Sequence, residues 1–172
     1  IKWPEDEWDA IALNYTSGTT GDPKGVVYHH RGAYINSLAQ VINARLNDGI
    51  PVYLWTLPLF HCNGWCFPWA LAAVGGTQIC IRRVSAEIIY EAIAEHDVTV
   101  FCGAPIVLGF LTEGSPAGWK APKQPLRVLS GGASPPPPVF RKLQELGFEV
   151  IHLYGMTEMH GVSVLCQPQE YW

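Results

Sequence analysis

The chain has 172 residues, 48% of them hydrophobic and 15% charged, with a formal net charge of −4. That length and apolar content suffice for one domain with a real core and exclude a disordered segment. The acidic balance, without a basic cluster, excludes a nucleic-acid module, and the most apolar stretch, Trp65–Gly76, is too short and too interrupted by Pro68 to span a bilayer.

In chain order, residues 1–9 read as a polar linker with no secretory signal and no initiator Met, so the chain is expected to be cut from something longer. Asp9–Tyr15 is predicted as a strand feeding a glycine-rich loop, and Gly25–His29 as a second strand. His30–Leu46 carries a helical stripe at Ile35, Leu38, Ala39, Ile42 and Leu46, stopped by Asn47-Asp48-Gly49. A rhythm then sets in: strand Val52–Leu57, helix Cys66–Val74, strand Thr77–Ile81, a Ser85-capped helix to His96, strand Val98–Cys102, helix Ile106–Thr112, and an exposed loop over Glu113–Pro125. Leu126–Leu129 is the next strand. Ser134 is expected to cap a helix that starts among prolines, continues over Val139–Leu146 and ends at Gly147. Phe148–Tyr154 is the last clear strand. This alternation predicts an α/β fold with a mostly parallel sheet covered by helices.

Five cysteines, an odd number lying mostly in apolar runs, predict free thiols in a reducing, cytoplasmic compartment. His61-Cys62 and Cys66 are too loosely spaced for a zinc site. The Asn14-Tyr15-Thr16 sequon is discounted, because it sits at the mouth of the glycine-rich loop.

That loop is the chemically densest stretch. Tyr15 to Val26 reads Y-T-S-G-T-T-G-D-P-K-G-V. The hydroxyls of Thr16, Ser17, Thr19 and Thr20 alternate with Gly18 and Gly21, and Lys24 closes the run. Glycines let the backbone approach a ligand, successive N–H groups form an anion site, and the hydroxyls and Lys24 add donors and a point charge. The stretch is predicted to bind the polyphosphate of a nucleotide. It is not the common P-loop, because Lys24 is followed by Gly25 and a strand instead of Ser or Thr and a helix. In parallel sheets ligands bind beyond the carboxyl ends of the strands. Pro58–Trp65, Gly103-Ala104-Pro105, Ser130–Ser134 and Tyr154–Glu158 all fall there beside the loop.

The loop closely resembles the phosphate-binding loop of the adenylate-forming (AMP-binding) superfamily, which holds acyl-CoA synthetases, luciferases and peptide-synthetase adenylation domains. Tyr154-Gly155-Met156-Thr157-Glu158 resembles that family's second signature, and Ser130-Gly131-Gly132-Ala133 its Gly-Gly-Ala segment. Pro58-Leu59-Phe60-His61-Cys62-Asn63-Gly64-Trp65 is similar to the segment bordering the acyl pocket in the short- and medium-chain acyl-CoA synthetase branch, including methylmercaptopropionate-CoA ligases. The resemblance covers nearly the whole chain but only the middle of the family's large N-terminal domain.

The resemblance implies an ATP- and Mg²⁺-dependent enzyme that joins a carboxylic acid to AMP and passes the acyl group to coenzyme A. It implies catalytic roles for Lys24, Thr157, Glu158 and His61, with Thr16 and Glu158 at the metal. The nucleotide would meet Thr16, Ser17, Gly18, Thr19, Thr20, Gly21, Lys24, Gly131, Gly132, Ala133, His152, Tyr154, Gly155, Met156 and Thr157. The acyl group would meet His61, Trp65 and Gly131. A carrier protein as acceptor, or a nucleotide-binding module without catalysis, are the competing readings. The resemblance also implies a ribose-binding aspartate and a C-terminal lysine, both expected outside this chain. Residues 1–172 are therefore expected to be a single partial domain, inactive alone and prone to self-associate, from a full-length protein expected as a homodimer.

Overall fold

The computed structural model describes residues 2–17 and 21–167. In β1 (Ala10–Thr16) Asn14 is buried between exposed Leu13 and Tyr15, and in β2 (Lys24–His29) Tyr28 is buried beside exposed Val27. The two pair antiparallel, with Thr16 opposite Lys24. They stand apart as a two-stranded sheet. This corrects the expectation that the loop hangs from the main sheet.

Helix α1 (His30–Asn43) begins at once, because His29 Nδ1 accepts the Gly32 N–H at 3.0 Å. It ends before the expected Leu46, where Ala44 caps it and Arg45 turns left-handed with φ 51°. There follow β3 (Val52–Trp55), the four-residue turn α2 (Cys62–Trp65), α3 (Phe67–Ala73) and β4 (Thr77–Cys80). Then come α4 (Ala86–His96), β5 (Val100–Gly103), α5 (Pro105–Glu113) and β6 (Leu126–Ser130). The described part of the chain closes with α6 (Pro137–Glu145), β7 (Phe148–Met156), a 3-10 turn (Thr157–Met159) and β8 (Gly161–Cys166). Ser85 caps α4 as expected, its Oγ accepting the Ile88 N–H at 3.4 Å. Ser134 does not cap α6. Pro136 holds that position without a side-chain hydrogen bond, since residues before prolines are held extended and the helix waits for Pro137 at its first turn.

The main sheet has six strands in the order β4-β3-β5-β6-β7-β8. The first five run parallel, and β8, which the sequence reading did not foresee, pairs antiparallel on the edge. Alternation along the strands builds two cores. Leu54, Phe101, Val128 and Val150 pack under α4, α5 and α6. Tyr53, Trp55, Val100, Cys102, Leu129 and Leu153 pack against α3 and the residues that follow α1. Chain order reverses between β3 and β5: β3 connects outward to β4, and β5 connects the other way to β6. A ligand crevice belongs outside the carboxyl ends of such strands.

Candidate active site

The hairpin register sets Thr16 and Lys24 face to face, so the phosphate-type loop spans residues 17–23. Ser17, Gly21 and Lys24 are exposed, and Gly21 has φ 149°, a conformation that L side chains rarely adopt. Gly18, Thr19 and Thr20 lie outside the described residues.

Side-chain hydrogen bonds lash the hairpin and α1 to the far end of β7. Tyr28 Oη donates to the Thr157 carbonyl at 2.7 Å. Burial, reinforced by Cys62 and Glu158 nearby, pushes the Tyr28 hydroxyl well above its ordinary range, so it stays a donor. Asn14 Nδ2 donates to Asn63 Oδ1 at 2.8 Å, which ties the strand before the loop to the turn after β3. That bond and the burial of Asn14 also remove it as a glycan acceptor. Asn36 Nδ2 donates to the His160 carbonyl at 2.8 Å, and Gln40 Nε2 to the Val162 carbonyl at 3.2 Å.

The turn α2 winds in the left-handed sense. φ is positive at five consecutive residues: Cys62 45°, Asn63 46°, Gly64 61°, Trp65 53° and Cys66 70°. Asn and Gly accept this conformation readily. Cys62, Trp65 and Cys66 do not, at about 1–2 kcal/mol each. Such strain persists only where surroundings over-determine it. Here Asn14 holds Asn63, a Cβ on Gly64 would sit 2.9 Å from the Trp55 ring, and buried Cys66 lies 3.2 Å from Ser37 Oγ. The far side of the turn meets Gly161, where an added Cβ would stand 3.0 Å from Trp65 Cα.

Between these segments lies a cavity of about 150 Å³, lined by His61, Cys62, Trp65, Gly132, Leu153, Gly155, Met156, Thr157 and Gly161. Three stretches singled out in the sequence, far apart along the chain, thus converge at the carboxyl edge. His61 is exposed on its rim and Trp65 half-buried in its wall. Gly132 is open, with φ 84° and no atom within 4 Å of where a Cβ would stand. Gly131 is not open: a Cβ there would meet Leu153 Cδ1 at 2.2 Å, so it is a packing glycine. Ala133 is exposed beside it. His152 is separated from this cavity. With Ser134, Pro135, Pro137, Phe140 and Arg141 it lines a second one of about 290 Å³. Tyr154 presents its ring at 54% exposure, and Glu158 is exposed at the 3-10 turn.

Sequence reasoning missed Tyr28, Asn14, Asn63 and His160. Even spacing from Lys24 along β2 was the one available signal for Tyr28. His160 closes the 3-10 turn with φ 58°, stacks on Tyr28 and is buried, which together with His29 pushes its pKa down to about 4. Burial drives the Cys66 thiol up to about 11 and that of Cys102 to about 12, so neither is a nucleophile.

A larger cavity, about 600 Å³, lies at the opposite, amino edge of the sheet, between Pro51, Thr99 and Leu126. Two of the three cations on its lining, Arg45 and Arg127, are already engaged. Arg127 Nη1 donates to the Ala44 and Arg45 carbonyls at 2.7 and 2.5 Å, and Arg45 pairs with Glu149. Size therefore does not mark the site; the convergence of open polar groups at the carboxyl edge does.

The donor set fits Mg²⁺ in one way only. Among the described residues no group of three or more His, Cys, Asp or Glu could hold an ion by itself. Glu158, on the turn that β1 packs against, and Thr16, at the end of β1, offer one carboxylate and one hydroxyl. That suits a hard ion that keeps most of its waters and shares substrate phosphates.

Comparisons with known proteins agree with this fold. The chain is 49% identical over 170 residues to the peroxisomal acetate/butyrate–CoA ligase AAE7 of Arabidopsis thaliana, covering 98% of this chain and 30% of that one. It is 49% identical over 168 residues to the peroxisomal benzoate–CoA ligase of the same plant, covering 98% and 29%. It thus spans about a third of the length of these curated relatives. Among solved structures, o-succinylbenzoate CoA synthetase of Bacillus subtilis in complex with ATP and magnesium ion superposes with a TM-score of 0.78 at 33% identity, over 91% of this chain and 32% of that one. The N-terminal domain of FACL13 from Mycobacterium tuberculosis gives 0.82 at 28% identity, over 95% and 41%. Residues 2–172 match the AMP-binding enzyme family, and the chain belongs to it.

Proposed function

We propose that this chain is part of an acyl-CoA synthetase, an ATP-dependent acid–thiol ligase that activates a small carboxylic acid as its adenylate and passes it to coenzyme A. The observation that carries the reading is the cavity at the carboxyl edge, where the His61–Trp65 turn, Gly132 and Gly155–Thr157 share one wall beside the phosphate-type hairpin. Its small volume suits a short acid, as do the relatives named for acetate and butyrate.

The chemical obstacle is repulsion between two anions. A carboxylate oxygen attacks the α-phosphorus, and the bond to pyrophosphate breaks. Lys24, the loop donors of residues 16–21 and the Thr157 hydroxyl stabilise charge that builds on the leaving phosphates. Thr16 and Glu158 would hold Mg²⁺, which supplies further charge neutralisation there. His61, on the rim, orients the carboxylate, and Trp65 bounds its apolar part. Gly132 and Ala133 leave room for adenine, the open ring of Tyr154 stacks on it, and His152 faces the nucleotide from the neighbouring cavity. Gly131 serves by keeping Leu153 in place, and Gly155 and Met156 complete the wall. The coenzyme A thiolate then attacks the acyl carbon and AMP departs. No side-chain nucleophile is needed.

Residues 1–172 are read as one partial domain of a larger N-terminal domain. Leu13, Tyr15 and Val27 on the hairpin and Tyr34, Ile35 and Ile42 on α1 are exposed apolar groups, which supports self-association of the isolated chain. No helix among the described residues is long and apolar enough to cross a membrane. The cytoplasmic location is proposed from the thiols, and fluorescent tagging of the full-length protein tests it against the peroxisome. The enzymatic reading is tested by exchange of labelled pyrophosphate into ATP, using the full-length protein and a panel of short, medium and aromatic acids. Acid-dependent exchange followed by acyl-CoA formation is expected, and binding of ATP without exchange for any acid would refute it.

A further inference from the structure

Tyr28 belongs neither to the loop nor to the cavity wall, yet it grips the backbone of the site. It is buried at the end of β2, four residues after Lys24. With a period of two, Lys24, Val26 and Tyr28 share one face of the hairpin. Burial deepens along that face: Lys24 is exposed, Val26 half-buried and Tyr28 buried, while Gly25 and Val27 on the other face are exposed. The Tyr28 hydroxyl donates to the Thr157 carbonyl at 2.7 Å, and the same oxygen accepts the His160 N–H at 3.0 Å. Cys62 Sγ lies 3.6 Å from Thr157 Oγ1 on the other side. The Tyr28 ring stacks on His160 with centroids 3.9 Å apart. Among the described residues of the hairpin, Tyr28 makes the only side-chain hydrogen bond to the Thr157–Met159 turn.

This matters because the hairpin and the main sheet share no ladder. Backbone pairing cannot set the spacing between Lys24 on one sheet and Glu158 beyond the end of the other; side-chain contacts must. We infer that Tyr28 is a positioning residue: its hydroxyl fixes the Thr157–Glu158 turn against the strand that carries Lys24, so that ammonium, hydroxyl and carboxylate meet one polyphosphate in register. This rests on the adenylating function proposed above.

Tyr28→Phe in the full-length protein removes the hydroxyl and keeps the stacked ring. Two readouts are needed. Hydrogen exchange of peptides covering residues 157–162 reads the anchor itself and is expected to quicken at least threefold. The kcat/KM for Mg·ATP in pyrophosphate exchange is expected to fall about tenfold and the Mg²⁺ requirement to rise, with the KM of the acid unchanged within twofold. Unchanged hydrogen exchange overturns the inference. Faster exchange with unaltered Mg·ATP parameters also overturns it, because the bond would then be merely structural. If the wild type shows no acid-dependent exchange, the functional reading fails on its own. Calorimetric Mg·ATP affinity then decides for Tyr28: a loss of about tenfold in Tyr28→Phe sustains the positioning role, and equal affinities overturn it.

Discussion

Gly155 is the residue on which the arrangement at the end of β7 can be tested most sharply. Its φ is unremarkable, so what it supplies is space. β7 and β8 slip register between Tyr154 and Gly155, where Tyr154 pairs with Val164 but Gly155 with Val162. The slip leaves Ser163 unpaired and brings the Gly161 carbonyl over Gly155. A Cβ on residue 155 would stand 1.8 Å from that oxygen, 2.5 Å from the carbonyl carbon and 3.1 Å from Val162 Cα. All three are backbone atoms, which no rotamer change can move. To reach even 3.0 Å the strands must part by about 1.2 Å, enough to break the adjacent ladder bonds, each worth roughly 1 kcal/mol. Gly155→Ala should therefore cost about 2–4 kcal/mol, above the ordinary penalty for overpacking. Gly109 in α5 is the control: nothing stands within 4 Å of its added Cβ, so Gly109→Ala should stabilise by about 0.8 kcal/mol through helix propensity. Urea unfolding of the full-length variants measures both. Because the displaced strand carries Gly161, which packs on Trp65, Gly155→Ala should also widen the cavity and weaken acid-dependent exchange. A Gly155→Ala midpoint within error of the wild type would refute the reasoning about this crossing.

Four further outcomes are expected. His160 has a folded pKa near 4 against an ordinary 6.5, so the native state binds its proton less readily than the unfolded chain; stability is whole above pH 6.5 and falls as pH drops toward 4, by up to about 3 kcal/mol. His160→Asn, which tolerates the left-handed backbone, should flatten the difference between unfolding midpoints at pH 7 and pH 5. Alkylation followed by mass spectrometry should label exposed Cys80 and Cys166 and spare Cys66 and Cys102, while Cys62, on the cavity wall, should lose reactivity when Mg·ATP and acid are added. Trp65→Ala should move the preferred acid toward longer chains, by about 1–3 kcal/mol of discrimination for each methylene gaining contact; an unchanged preference in a competition assay would leave Trp65 as packing alone. Glu158→Gln should weaken Mg·ATP use by roughly 2–4 kcal/mol without changing acid binding, and an unaltered Mg²⁺ titration would remove Glu158 from the metal.

Much of the main sheet was legible because its strands are short apolar runs closed by Gly, Pro or Ser, and α4 because Ser85 announces it. The edge strand β8 was not. In Gly161–Cys166 the inward residues Val162 and Leu165 stand three apart instead of two, because the register slip leaves Ser163 over, so the burial does not follow the period of a strand. The split into two sheets was equally hidden, since a strand's own sequence does not say which sheet it joins. The left-handed turn could not be read from Cys62, Trp65 and Cys66, which individually prefer the right-handed region; only Asn63-Gly64 hinted at it. The motifs brought His61, Trp65, Gly132, Gly155, Met156 and Thr157 to attention, and all six line one cavity. They could not separate Gly131 from Gly132, because whether a glycine provides openness or close packing depends on Leu153, more than twenty positions away.

The division into hairpin and sheet has a consequence for how such a site can work. Within one sheet, Lys24 and Glu158 would be held by a continuous ladder whose rigidity leaves no room for adjustment. Here discrete side-chain bonds carry the connection, three of them from Asn14 to Asn63, Tyr28 to Thr157 and Asn36 to His160. Each links an element at or beside the hairpin to a segment that is itself unusual in backbone: the left-handed turn at Asn63 and the 3-10 turn closed by left-handed His160. Both turns are strained and both line or border the same cavity. These contacts sustain the strain; removing one should loosen its own turn and leave the other in place. Substrate groups that engage Lys24 and Thr157 together would then bridge the two sheets and add to that connection, so polyphosphate binding should slow hydrogen exchange in both the 61–66 and the 157–161 segments. If bound ATP protects only the loop side, the two sheets are not joined through the ligand and the site must be assembled by other parts of the chain.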